Sequence, residues 1–436
     1  MYNRWWPGSQ NGNPGQRGRS ARAAGFQAQA WPSDSGMKYT LFLTHRCNLA
    51  CDYCYVSKSS DCMSLSVAQR VIDFAFQNTP PADDIEIGFF GGEPLLEFPL
   101  LRDVTRIVRS HPSFDPCRVK LSLTTNGTLL TPEIVEFLGE HEVLTTISCD
   151  GRPPVHDRFR RMPRGEGSSA LVERGIRTAM QKLRHVPVNA VYRPETLAHL
   201  PGTIDYFSSL GVREIYLNPD FSATWTPAEV DSIPEVYGAV AARYMQFYRE
   251  RRPHYISLID SKITVLLRGG YQENERCHMG EREFAFTASG RVLPCERLAS
   301  EDLDLHSIGT ANGLIRIDPL RNHFAPGPPV NVPCLSCTLQ EYCANWCGCS
   351  NYLMSGHYNR VGPFLCASER ASIELAFNIF RTLESELGPT FMDHLGGRAR
   401  TRSISAHLGG EIERRPASFP ARLTGQDHNS SKQEEP

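Results

Sequence analysis

A chain of 436 residues is longer than one ordinary core and leads to an expectation of two to three domains. With 40 % hydrophobic and 22 % charged residues the composition is globular, and a net charge of −2 gives no electrostatic case for nucleic acid or a membrane as partner. No apolar run reaches the roughly 20 residues of a membrane span, and no apolar secretory core stands near the N-terminus, so a cytoplasmic location is expected.

Fourteen cysteines in a reducing compartment point away from disulfides. Three fall within 47–54 and eight within 277–366, clustering that suggests metal or iron–sulfur ligation. Cys62, Cys117 and Cys149 stand alone and read as ordinary buried thiols.

In chain order, residues 1–36 are rich in Gly, Asn, Gln, Ser and Arg and read as a disordered tail. β-rich runs follow at 38–43, 84–89, 119–124, 143–148, 186–191 and 212–217. Helical patterns separate them. One runs from "SVAQRVIDFAF", with Ser64 or Ser66 as N-cap and Val67, Val71 and Phe74 on one face. Another is "TPEIVEFLG", with Thr131 as N-cap, Pro132 at the first helical position and Gly139 as its end. Strands alternating with helices imply βα units and a parallel sheet. Six of them predict an α/β fold, a partial (β/α)6 barrel with an open side.

Residues suited to chemistry stand just after the strands: Cys47, then Gly91-Gly92-Glu93-Pro94, Thr125-Asn126-Gly127, Asp150 and Gly151, Arg193, and Asn218 with Asp220. In α/β sheets and barrels that end carries the ligand site. From about 277 cysteine, glycine and proline become dense, and such a region leans on metal for stability.

The first trio, Cys47, Cys51 and Cys54, lies in "THRCNLACDYCYV". Structural metal sites normally close with four protein ligands, whereas an open position marks function. Three thiolates on a four-iron cluster leave one iron free to take a small molecule. A zinc site completed by His45 or Asp52 is the alternative.

"CNLACDYCY" resembles the signature of radical SAM enzymes, and "FFGGEPLL" is similar to their GGEP motif. The resemblance implies that the open iron binds S-adenosylmethionine, with the glycines letting backbone approach and the Gly92–Glu93 segment meeting the methionyl ammonium. "TTNGT" and "SCDG…HDRFR" resemble further cofactor-side segments. They imply cofactor-binding roles for Gly91, Gly92, Glu93, Pro94, Asn126, Ser148 and Asp150. Arg160 pairs the carboxylate on this likeness, or else makes a surface ion pair, and His156 with Asp157 reads as a loop-fixing pair.

Cys277, Gly290 and Cys295, then Cys334-x2-Cys337-x5-Cys343-x3-Cys347 and Cys366, resemble the SPASM extension of radical SAM enzymes that modify peptides and proteins. The resemblance implies two auxiliary four-iron clusters, making three in all. Cys334, Cys337, Cys343 and Cys366 would hold the outer one, and Cys277, Cys295 and Cys347 the inner. Some relatives carry one further inner cysteine that "GGYQENERC" lacks. Cys349 would fill that place across a tight C-x-C turn, or else is a bystander thiol beside a site open to a substrate thiolate; the turn tips the expectation toward the open site.

The function expected on this likeness is maturation of a ribosomally made peptide by a thioether or carbon–carbon crosslink or another side-chain or backbone change. Formylglycine formation in a sulfatase is the alternative; Glu296, as a base, stands where sulfatase maturases carry Asp. A non-catalytic iron–sulfur protein is the alternative of another class. Expected partners are a precursor peptide or protein and a flavodoxin- or ferredoxin-type reductant. No winged-helix module is expected before Cys47, so leader recognition falls to the barrel and SPASM surface or to a separate leader-binding protein. The expected domains are the tail 1–36, the radical SAM barrel 37–240, a bridging segment 241–276, the SPASM domain 277–385 and a mostly flexible tail 386–436.

Overall fold

The computed structural model describes residues 36–272, 276, 279–299, 303–311, 313 and 332–399. The tail expected over 1–36 falls, but for Gly36, outside these residues, as do Cys277 and the end of the C-terminal tail.

Six β-rich runs become six parallel strands: β1 (Gly36–Thr44), β2 (Asp84–Gly91), β3 (Val119–Thr125), β4 (Leu144–Ser148), β5 (Val188–Tyr192) and β6 (Glu214–Pro219). They pair in chain order, the simplest outcome of successive right-handed βα units. A short seventh strand, β7 (Tyr255–Ile256), continues the sheet parallel to β6. At the other edge β8 (Glu283–Phe286) runs parallel to β1, and β9 (Arg291–Leu293) and β10 (Gly309–Thr310) extend it antiparallel. The sheet therefore has ten strands rather than six and, among the described residues, runs from β10 to β7 without closing. Strands around Cys295 thus add to the barrel's own sheet.

Alternation along β1 explains its two faces. Tyr39, Leu41 and Leu43 are fully buried under α1 (Leu65–Asn78), where Tyr39 meets Phe74 edge-on and its hydroxyl bonds Thr79 at 2.9 Å. Lys38, Thr40 and Phe42 point the other way. Ser64, not Ser66, is the cap of α1, accepting from Val67 N at 3.2 Å. The outer layer continues with α2 (Phe98–Ser110), α3 (Pro132–Glu140), α4 (Pro153–Phe159), α5 (Ser169–Lys182) and α6 (Leu200–Leu210). Thr131 caps α3 as expected, with Pro132 at its first position. Then come α7 (Pro227–Arg249) and α8 (Ser257–Leu267).

After the cysteine-rich loops, α9 (Gly348–Ser355) leads to the long α10 (Pro363–Leu387), which packs on α7 and α8. Tyr237 on α7 and Ser368 on α10 join by a 2.8 Å hydrogen bond. The chain stays helical through α11 (Pro389–Ala399), where the sequence suggests a tail from 386. Gly388 and Pro389 break and restart the helix, and Phe391, fully buried, packs against Tyr248. Of the lone cysteines, Cys149 is buried as expected, but Cys62 and Cys117 are exposed in loops. No helix among the described residues is long and apolar enough to cross a membrane.

Candidate active site

The C-terminal ends of β1–β6 gather the predicted residues at one end of the sheet. The cysteine loop after β1 is held from three sides. Gly92 N donates to Thr44 O and Glu93 N to Arg46 O, both at 2.8 Å; Ala50 N and Asp52 N donate to the carbonyls of Arg161 and Phe159; and the Lys58 ammonium donates to Leu49 O. Cys47 and Cys51 are half-buried and Cys54 exposed. Burial pushes the Cys47 thiol up to about 11 and also raises Cys51, which the nearby Arg160 partly offsets. A cationic metal centre is the influence that deprotonates such thiols outright. His45 is buried, its Nδ1 donating to Ser57 O at 3.1 Å. Cys47, Cys51 and Cys54 are not themselves gathered into a geometry that holds a single metal ion.

Gly91 and Gly92 are required by the cysteine loop itself. A Cβ on Gly91 would stand 2.2 Å from Thr44 O, and one on Gly92 would stand 2.1 Å from Arg46 O. Gly91 also adopts φ +129°, which L side chains rarely take. The close approach is between β2 and the cysteine loop itself. With the Gly92 and Glu93 N–H groups spent on that loop, the segment's carbonyls are what it can offer an ammonium.

Glu93 is fully buried, and its carboxylate accepts from Leu95 N (3.0 Å), Thr125 Oγ1 (2.8 Å) and Asn126 N (2.7 Å). Burial lifts its pKa to about 7. It therefore clamps the ends of β2 and β3 together and has no open face for a ligand, while Pro94 starts the short helical turn behind it. Asn126 reaches the cysteine loop, donating to Asn48 Oδ1 at 2.8 Å with Cys47 Sγ 3.9 Å away.

Ser148 ends β4, half-buried. Asp150, two residues on, is a hub. Its Oδ1 accepts from Arg160 Nε at 3.0 Å and Val191 N at 2.9 Å, and its Oδ2 from the Tyr53 hydroxyl. The carboxylate is thus taken up within the protein, and Asp150 enters the site as a bracket instead of an open acceptor. Arg160 is buried, which rules out the surface pair, and its guanidinium lies 5.3 Å from the Tyr53 ring centroid. His156 fixes the loop as expected: Asp150 N donates to its Nδ1 at 3.2 Å, its Nε2 bonds Ser168 Oγ at 2.9 Å, and Ser168 Oγ donates to Arg160 O at 2.8 Å. Asp157 accepts from Ser169 N and Oγ at the start of α5.

Cys295 and Glu296 lie beside the same loop. Tyr55 stacks on Phe90, and Glu296, Cys295 and Cys54 all stand near enough to raise its pKa, with burial the larger cause; Ser57 N donates to Ala299 O at 3.2 Å. Glu296 Oε2 accepts from Thr40 Oγ1 at 3.2 Å and pairs with Lys38 Nζ at 3.4 Å, while Glu283 stands 3.7 Å from the same ammonium. The predicted base is therefore committed to the inner face of β1. Among the other cysteines, Cys334 neighbours Cys366 and Cys337. Cys343 sits against Glu369, one turn along α10 from Cys366; Glu369 Oε2 accepts from Ala344 N (2.5 Å) and Lys262 Nζ (2.6 Å). Cys295, Cys347 and Cys349 come together around Arg297. Cys277 lies outside the described residues.

Sequence reasoning missed Lys38, Tyr53, Tyr55 and Arg297. A lysine inside the apolar run "KYTLFL" and a tyrosine on either side of Cys54 were the available signals.

Residues 41–207 match the model of the Radical SAM superfamily. This segment of the chain is a radical SAM domain. The chain's relatives include maturases: it is 29 % identical over 333 residues to a serine-type anaerobic sulfatase-maturating enzyme of Klebsiella aerogenes, covering 72 % of this chain and 80 % of that one. It is also 29 % identical over 184 residues to an uncharacterized protein of Methanocaldococcus jannaschii, covering 41 % of this chain and 62 % of that protein's length. Among solved structures it is similar to anSMEcpe with bound AdoMet and Cp18Cys peptide (TM-score 0.67, 19 % identity, 81 % of this chain and 100 % of that one). It is also similar to Streptococcus suis SuiB bound to precursor peptide SuiA (TM-score 0.54, 14 % identity, 77 % and 76 %).

Proposed function

We propose that this chain is a radical SAM maturase that abstracts a hydrogen from a residue of a ribosomally made peptide, leading to a thioether or carbon–carbon crosslink or another side-chain or backbone change. Cys47, Cys51 and Cys54 would hold a four-iron cluster. The donor set fits: three thiols on one loop, braced by Gly92, Glu93 and Asn126 and leaving one ligand position for a cofactor. When bound, the cluster and S-adenosylmethionine supply the electron and the 5′-deoxyadenosyl radical that takes the substrate hydrogen. The chain's own residues place and enclose that chemistry. The carbonyl side of Gly91–Glu93 would meet the methionyl ammonium. Ser148 and the Arg160 guanidinium, held by Asp150, would meet the carboxylate. Pro94 and Asn126 would set the loops around it.

Two auxiliary clusters would occupy the later cysteines, with Cys334, Cys337, Cys343 and Cys366 on the outer one and Cys277, Cys295 and Cys347 on the inner. The electrostatic influence of both Cys54 and Cys295 on Tyr55 supports a first trio and an inner set near enough for an auxiliary cluster to exchange electrons with a substrate radical. A flavodoxin- or ferredoxin-type protein would supply electrons, and a separate protein or the barrel surface would grip the leader.

The observation that carries the peptide reading over formylglycine formation is the engagement of Glu296 by Lys38 and Thr40, which draws this carboxylate onto β1. The sulfatase reading keeps support from the likeness to sulfatase maturases. The test is anaerobic reaction with S-adenosylmethionine, a reductant and, separately, a candidate precursor peptide sought among short reading frames beside the gene and a sulfatase-derived peptide. The first peptide is expected to be modified, a crosslink showing as the loss of two hydrogens with its residues intact. Aldehyde formation on the sulfatase peptide alone would overturn it.

A further inference from the structure

The C-x-C turn at Cys347 and Cys349 is unsuited to joint ligation in an extended chain, yet its backbone is not extended throughout. Cys347 is the N-cap of α9 with φ −70° and ψ 95°, and Cys349 lies in the first turn. That change from extended to helical backbone brings the two sulfurs to 3.7 Å, where Cys349 also contacts the Cys295 sulfur. Cys349, Cys295 and Ser350 are nearly fully buried. Arg297 faces the same three thiols and donates from Nη1 to Ser350 Oγ at 3.2 Å, and that hydroxyl lies 3.2 Å from Cys347 Sγ. Its guanidinium is fixed over the Phe221 ring at 5.4 Å. Three thiols from two segments thus meet a fixed cation and the positive end of a helix, surroundings that favour an anionic thiolate-bound centre over a bystander.

From this geometry we infer that Cys349 is a protein ligand of the inner auxiliary cluster, alongside Cys295 and Cys347, with Arg297 and the N-terminus of α9 offsetting its charge. The inference rests on the auxiliary-cluster reading above and deepens it: a thiol of this chain, not one of the substrate, takes the ligand position beside Cys347.

The full chain is reconstituted anaerobically with iron and sulfide, as wild type, Cys349→Ala and Cys349→Ser, and iron content and Mössbauer spectra are read. Wild type is expected to hold about twelve irons, four per cluster. Cys349→Ala is expected to lose about four of them or to convert one cluster to a three-iron form, and Cys349→Ser to keep the iron with an altered site in the spectrum. Wild-type iron and spectra in both variants would overturn the assignment while leaving the cluster reading standing. Only about four irons in wild type would overturn the cluster reading itself. Arg297→Gln supplies a second readout that keeps every thiol: the midpoint potential of one auxiliary cluster is expected to fall, and unchanged potentials would remove Arg297 from the site.

Discussion

Arg160 Nε donates to Asp150 Oδ1 at 3.0 Å, and this buried pair joins the end of β4 to the segment that carries the cysteine loop. Removing one partner of a buried pair strands the other charge and costs about 3–5 kcal/mol. Asp150→Ala is therefore expected to lower unfolding stability by about that amount in urea. The double variant Asp150→Leu/Arg160→Met should recover part of it, because no charge stays unpaired.

His156, fully buried, gives a pH dependence of defined sign. Burial depresses its pKa from 6.5 to about 4. The stability that its neutral ring contributes is full above pH 6.5 and is lost as pH falls toward 4, amounting to about 3 kcal/mol. Urea unfolding across that range should show the loss in wild type and a flatter profile in His156→Gln.

Gly92→Ala tests whether the GGEP segment is shaped by the cysteine loop. The added methyl would meet the Arg46 carbonyl, backbone that cannot swing aside, at an expected cost of about 3 kcal/mol. Reconstituted iron should fall with it. Gly202→Ala on α6 is the control: nothing lies within 4 Å of its Cβ, and this half-buried helical glycine should gain up to about 1 kcal/mol.

Glu369→Gln probes the bracket at Cys343. Lys262 would lose its 2.6 Å partner in a buried setting, and Ala344 N would lose its charged acceptor. A lowered melting temperature together with reduced iron is expected, whereas Lys262→Met/Glu369→Leu should restore the melting temperature more than the iron.

The strands and the chemistry at their ends were legible because both are local: a period of two in "KYTLFL", then glycines and cysteines where the run stops. The reach of β8 to β1 was not, since pairing across more than 200 residues leaves no local mark. For the same reason the packing role of Gly92 left no mark: its neighbour is the carbonyl of Arg46, on another strand's loop. Asp150 and Arg160 were picked out by motif, but that they spend themselves partly on each other depends on tertiary contact. The helix over Pro389–Ala399 was readable and missed, since a Gly-Pro break followed by Phe391 and Leu395 four apart is a restart signal.

In the proposed function Cys47, Cys51 and Cys54 with the strand-end loops reductively cleave S-adenosylmethionine. The direct measurement is 5′-deoxyadenosine released by the anaerobically reconstituted chain with S-adenosylmethionine and dithionite, with and without peptide, beside Cys51→Ala. The account expects release from wild type, increased by a substrate peptide, and none above background from Cys51→Ala. No release from a fully iron-loaded wild type, or equal release from Cys51→Ala, would contradict it.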